Sequence, residues 1–185
     1  MEFSHLGVEN NAAKSPRSAI AASVLGIMNA VPAAAYTCDV SGLITYFNPL
    51  AEAVWGRAPR LCDARERYCG SHRLYSSEGV PIRHDECWMA LALSQGIPYR
   101  GRAIVIARRD GSTTVGEAYA HPLRNAHGRV VGAVNLVADI TTLRNGGAGN
   151  SRSQSPSIAY SATLAIIDTA LSLFGVMTWK NVTFF

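Results

Sequence analysis

The chain carries little charge, and what it carries is dispersed. Charged residues make up 16 % of 185 positions. The arginines at 57, 60, 65, 67, 73, 83, 100, 102, 108 and 109 form no packed basic run. A formal net charge of +4 without helix-turn-helix or zinc-finger spacing gives no basis for nucleic-acid binding, and none is expected. Cysteine is also sparse. Cys38, Cys62, Cys69 and Cys87 include no C-x-x-C pair and no C-x-x-C-H, so no zinc site, attached haem or disulfide framework is expected. Such usage suits a reducing compartment, and a cytoplasmic location is expected. The first 14 residues lack the apolar run of a secretory signal. There is no G-x-S-x-G, no phosphate-binding glycine loop, no dinucleotide fingerprint and no internal repeat. Tyr75, Glu117, His121 and His127 stand apart, with no nucleophile–base–orienter spacing. No catalytic residue and no metal site is expected.

Apolar material, by contrast, is plentiful. Hydrophobic residues make up 48 %, enough for a packed core. Residues 1–16 read as a loose N-terminus. Ser15 and Pro16 suit the cap and first position of a helix. Ile20, Val24, Ile27, Met28 and Val31 then recur at helical spacing, predicting an N-terminal helix over 17–31. Its apolar stripe suits either a second subunit or its own sheet.

Residues 32–143 read as one domain. Ala33 to Asp39 and Leu43 to Phe47 flank Val40-Ser41-Gly42, a hairpin whose glycine supplies the positive φ of a tight turn. Asn48-Pro49 opens a short helix that Gly56 ends. The middle is irregular, with Arg73-Leu74-Tyr75 before Ser76 to Gly79 read as a small extra hairpin. His84-Asp85-Glu86 opens a helix continuing through Leu93, stopped by Gly96 and Pro98. Three strands follow: Arg102 to Ala107, Thr113 to His121 and Arg129 to Asp139, joined by turns at Arg109 to Ser112 and Leu123 to Gly128. Five strands with short helices grouped between them define an α+β domain with an antiparallel sheet.

After Leu143 the composition changes. Residues 144–157 are a Gly/Ser-rich linker. Residues 158–185 form an apolar tail in which Leu164, Ile167, Leu171 and Phe174 share a helical stripe. The run 160–179 approaches bilayer-spanning length, but Asp168 sits mid-run at a cost. A membrane-surface or docking helix, a span, and a helix packed on the domain all fit this composition.

The order of these elements resembles the PAS family of sensory domains. Tyr46-Phe47-Asn48-Pro49, Trp55-Gly56-Arg57, the Asp110-Gly111 turn and Asp139-Ile140-Thr141 carry the likeness. The pattern His84-Asp85-Glu86-Cys87-x-Met89-Ala90 resembles PAS domains attached to sensor histidine kinases. The resemblance implies a five-stranded antiparallel sheet with helices on one face. It also implies a role in signal transduction, as a homodimer or with a histidine kinase, by shifting between two packings. No kinase catalytic domain follows in this chain.

Within that frame, Tyr36, Phe47, Trp55, Trp88, Met89, Ile104, Ile106 and Val134 are the candidate lining of a small-ligand pocket, or else plain core. No cofactor is expected as the primary reading. The haem alternative uses His84 as iron ligand and Arg102 to polarise bound oxygen, as the likeness to haem-binding PAS domains implies. A flavin reading centres on Cys69. There Tyr68 and Gly70-Ser71-His72 depart from the Asn-Cys-Arg-Phe-Leu-Gln motif of light-sensing relatives, and no flavin is expected. A ligand-free interaction or dimerisation module is the remaining alternative.

Overall fold

A computed structural model describes residues 25–125 and 127–141. The expected elements at residues 1–24 and the linker and tail at 144–185 lie outside the described residues. Within them a single antiparallel sheet has the order β2-β1-β7-β6-β5-β3-β4. Its strands are β1 (Ala34–Asp39), β2 (Ile44–Phe47), β3 (Arg73–Tyr75), β4 (Pro81–Ile82), β5 (Tyr99–Ala107), β6 (Thr113–Arg124) and β7 (Val130–Asp139). Helix α1 is described over 25–30; α2 spans Pro49–Trp55 and α3 spans Trp88–Gln95.

The sheet has seven strands, not the expected five. The two additional strands are the small hairpin at Arg73–Ile82. It is not a free-standing turn, because Arg73, Leu74 and Tyr75 pair with Ala107, Ile106 and Val105. This extends the sheet past β5 and buries Leu74. A two-residue strand such as β4 has too little periodicity to declare itself in sequence.

Local chemistry explains the first hairpin. Asp39 Oδ1 accepts from the backbone N–H groups of Ser41 and Leu43 at 2.9 Å each, and Gly42 takes φ +82°. Asn48 then caps α2, accepting from Ala51 N at 2.9 Å, and Gly56 closes it at φ +67°. The irregular stretch after α2 is pinned by Arg57. Its guanidinium donates to Gly70 O at 2.9 Å and pairs with Glu66 at 2.5 Å.

The helix expected from His84 is divided. His84–Glu86 form one 3₁₀ turn, Cys87 returns to extended backbone, and α3 starts at Trp88. The acidic first turn therefore belongs to the 3₁₀ segment, where Asp85 pairs with Arg83 at 2.7 Å. At the other end, Arg124 of β6 donates to Gly96 O at 2.6 Å, placing a cation where α3 exposes its carbonyls.

Strand β7 pairs with β1 from Ala34↔Val137 to Asp39↔Gly132 and with β6 on its other side. Its two faces enter different cores. Ala133 and Val137 join Tyr36, Trp55, Leu74, Met89, Ile104 and Ile106 under α2 and α3. Val134 and Leu136 join Ala33, Ala35, Tyr119 and Leu123 on the opposite face, with Met28 and Val31. Helices thus cover both faces: α2 and α3 the inner one, α1 part of the outer one. Burial of Met28 and Val31 shows that α1 packs on its own sheet, while Ile27 remains 44 % exposed.

Candidate functional site

The inner core is built around Tyr36, which is 2 % exposed. Alternation along β1 turns Ala34, Tyr36 and Cys38 inward. The Tyr36 ring meets Trp55 edge-on at 5.0 Å, and Trp55 meets Phe47 at 5.8 Å. Across the sheet, Asn135 faces Tyr36 on β7 and donates from Nδ2 to the Tyr36 hydroxyl at 3.0 Å. Burial, then the nearby Cys69 and Cys87 thiols, hold the Tyr36 phenol well above its usual range.

A second polar line runs from the core to the surface. The Cys69 thiol donates to Ser71 Oγ at 3.2 Å, and Ser71 Oγ is 3.1 Å from His84 Nε2. Burial raises the thiols of Cys38 and Cys69 and pushes that of Cys87 up to about 12. These are protonated, weakly nucleophilic groups at neutral pH. No cluster of three or more His, Cys, Asp or Glu side chains suited to a metal occurs among the described residues.

Of the predicted pocket residues, Tyr36, Trp55, Trp88, Ile104 and Ile106 surround one small void, together with Asn135 and Val137. Phe47 and Met89 belong to the same core without lining that void. Val134 does not: it lies in the outer core beneath α1. The inward residue is its neighbour Asn135, which the sequence reading overlooked. A lone amide within an apolar strand was the available signal, because such a group is retained in a core only with partners. The void measures about 10 Å³, the space of roughly one water. A separate open groove of about 190 Å³ lies outside this core, between α2 and the ends of β1 and β7, with Arg108 and Asp139 beside apolar walls.

These residues do not fit a haem or a flavin. His84 is turned to Ser71, and the Arg102 guanidinium lies over the Trp88 ring at 5.7 Å. Neither side chain lines the inner void. Trp88 in turn stacks on Tyr99 at 5.5 Å. Cys69 packs against Tyr36 and Trp55, and the volume beside it is far below that of an isoalloxazine.

Burial lowers the pKa of His84 below its usual 6.5; contact with Ser71 and the Asp85 carboxylate oppose this, while Arg57 and His72 add to it. The unfolded chain therefore binds this proton more readily, and stability falls as pH drops through and below 6.5. The urea midpoint is expected to decrease from pH 7 to pH 5 in the native chain, and to decrease less in His84→Gln. Equal decreases in both would remove His84 as the cause.

No protein-family model and no curated protein matches the chain. Solved structures do. The PAS domain of the fruit-fly ELK potassium channel aligns at TM-score 0.50 with 14 % identity, covering 65 % of this chain and 97 % of that one. The LOV protein of Rhodobacter sphaeroides aligns at TM-score 0.52 with 12 % identity, covering 86 % of this chain and 84 % of the other. At such identities the likeness concerns the fold. The class is thereby defined: an α+β domain in which helices pack on a curled antiparallel sheet. More particularly, this chain is a PAS-fold domain.

Proposed function

We propose that the chain is a PAS-type sensory module without catalytic activity of its own, which relays a change of packing to a signalling partner in a two-component, histidine-kinase pathway. One observation carries this reading. Strand β7 is bonded to β6 from Val130 to Asp139 and to β1 from Gly132 to Val137, and its two faces enter two separate cores. Repacking under α3 or under α1 therefore reaches the same strand. Interiors are close-packed, so such a strand shifts between discrete arrangements in preference to deforming gradually.

A second reading, a ligand-free interaction or dimerisation module, is favoured by the nearly filled core. Both readings place the input at a surface or in a water-sized seat, and both take the chain as a homodimer or a kinase partner. The exposed part of α1 at Ile27 supports pairing there.

Amide hydrogen exchange tests the relay. Trp88→Phe alters the inner core from α3. The expected result is changed protection in Val130–Asp139 and in 25–30, beyond α3 itself. Changes confined to α3 and its immediate contacts would overturn the relay. Native mass spectrometry of the purified chain separates the two readings. A retained organic ligand supports ligand sensing, and a bare dimer supports the interaction module.

A further inference from the structure

Two buried polar atoms beside the inner void have no hydrogen-bond partner: Trp88 Nε1, a donor, and Asn135 Oδ1, an acceptor. Asn135 is only 4 % exposed, and its amide nitrogen is already committed to Tyr36. The register places the two residues on the same face of the sheet. Asn135 sits opposite Ala120 on β6, Ala120 sits opposite Tyr99 on β5, and Trp88 lies on the Tyr99 ring. Both residues line the same cavity of about 10 Å³.

We propose that this cavity is a binding site for one neutral, water-sized hydroxyl ligand, a single internal water that accepts from Trp88 Nε1–H and donates to Asn135 Oδ1, bridging α3 to β7. Size sets the upper limit, because this volume admits one water and little more. Chemistry sets the type. A native interior rarely leaves both a donor and an acceptor unmatched, and one water supplies the complement of each. No Asp, Glu, Lys, Arg or His lines the cavity, so an ion has no counter-charge there. An apolar gas would leave both orphaned groups unpaired. The remaining walls are chiefly apolar, which fixes the ligand at its polar end. This site stands on its own geometry and does not depend on the sensory reading.

The test is water-selective NOE and ROE spectroscopy of the ¹⁵N-labelled full chain. The sequence has three tryptophans, and Trp88→Phe identifies the indole resonance. The expected result is a cross-peak between Trp88 Nε1–H and water, with NOE and ROE of opposite sign, as a long-lived bound water gives. A second cross-peak is expected at the Asn135 side-chain amide. Asn135→Leu removes the acceptor and is expected to abolish the Trp88 cross-peak while the far-UV spectrum stays folded. Absence of either cross-peak in the native chain overturns the site, and this outcome needs no variant. Survival of the Trp88 cross-peak in folded Asn135→Leu also overturns it.

Discussion

Asn48→Ala is expected to cost about 3–5 kcal/mol, several times the ~1 kcal/mol of an ordinary lost helix cap. Asn48 is 1 % exposed and uses its whole hydrogen-bonding capacity. Its Oδ1 accepts from Ala35 N and Ala51 N at 2.9 Å each. Its Nδ2 donates to Met28 O at 3.0 Å and Ala33 O at 2.9 Å. One side chain thus joins α1, the start of β1 and α2. Alanine leaves the buried Ala35 N–H and the carbonyls of Met28 and Ala33 without this partner, while Ala51 N keeps its 3.0 Å bond to the residue 48 carbonyl. The denaturant midpoint should fall with little change in slope. Asn48→Asp separates capping from bridging. Aspartate caps as well as asparagine, but it sets an acceptor oxygen against two carbonyls. If bridging dominates, Asn48→Asp loses most of what Asn48→Ala loses, and amide exchange in 25–30 accelerates. An Asn48→Asp variant of native stability would refute the bridging role.

The Asn48 case shows what was legible in the sequence. Asn48-Pro49 announced a cap because capping is local and its chemistry is written in adjacent residues. The same holds for Gly42 and for the turn at Asp110-Gly111, whereas the turn read at Leu123 to Gly128 starts later because β6 runs on to Arg124. The bridge from Asn48 to Met28 and Ala33 was not legible, since it depends on where α1 docks. Face assignment failed in β7 for a different reason. Both of its sides are buried, so apolar residues at 133, 134, 136 and 137 flank Asn135 and alternation is hidden. Val134 then looked like a pocket residue, and Asn135 received no role. The 3₁₀ turn at His84–Glu86 escaped because acidic residues suit the first turn of either helix type, while the break is set by the backbone of Cys87. Cys69, Ser71 and His84 meet across an irregular loop that carries no period.

Trp55→Ala is expected to remove about 3–5 kcal/mol, the usual cost of deleting a buried tryptophan, which is a large share of a domain's total stability. Trp55 is 2 % exposed, touches the rings of Tyr36 and Phe47, and fills the space above Gly70. A Cβ at Gly70 would lie 2.4 Å from Trp55 Cε3, so Gly70→Ala alone must displace a packed indole and is expected to cost about 1–3 kcal/mol. Gly70 is not at positive φ, so alanine itself brings no left-handed strain. The double variant provides the decisive comparison. Once the indole is gone, the new methyl group enters an emptied volume. Gly70→Ala should then be neutral or mildly stabilising in the Trp55→Ala background, giving a coupling energy of about 1–3 kcal/mol. Simple additivity of the two losses, measured by urea denaturation, would show that Gly70 serves the backbone of the loop and not the close approach of Trp55. That close approach locks α2 onto the loop carrying Cys69 and Ser71, so the same indole that closes the core also fixes the polar line leading out to His84.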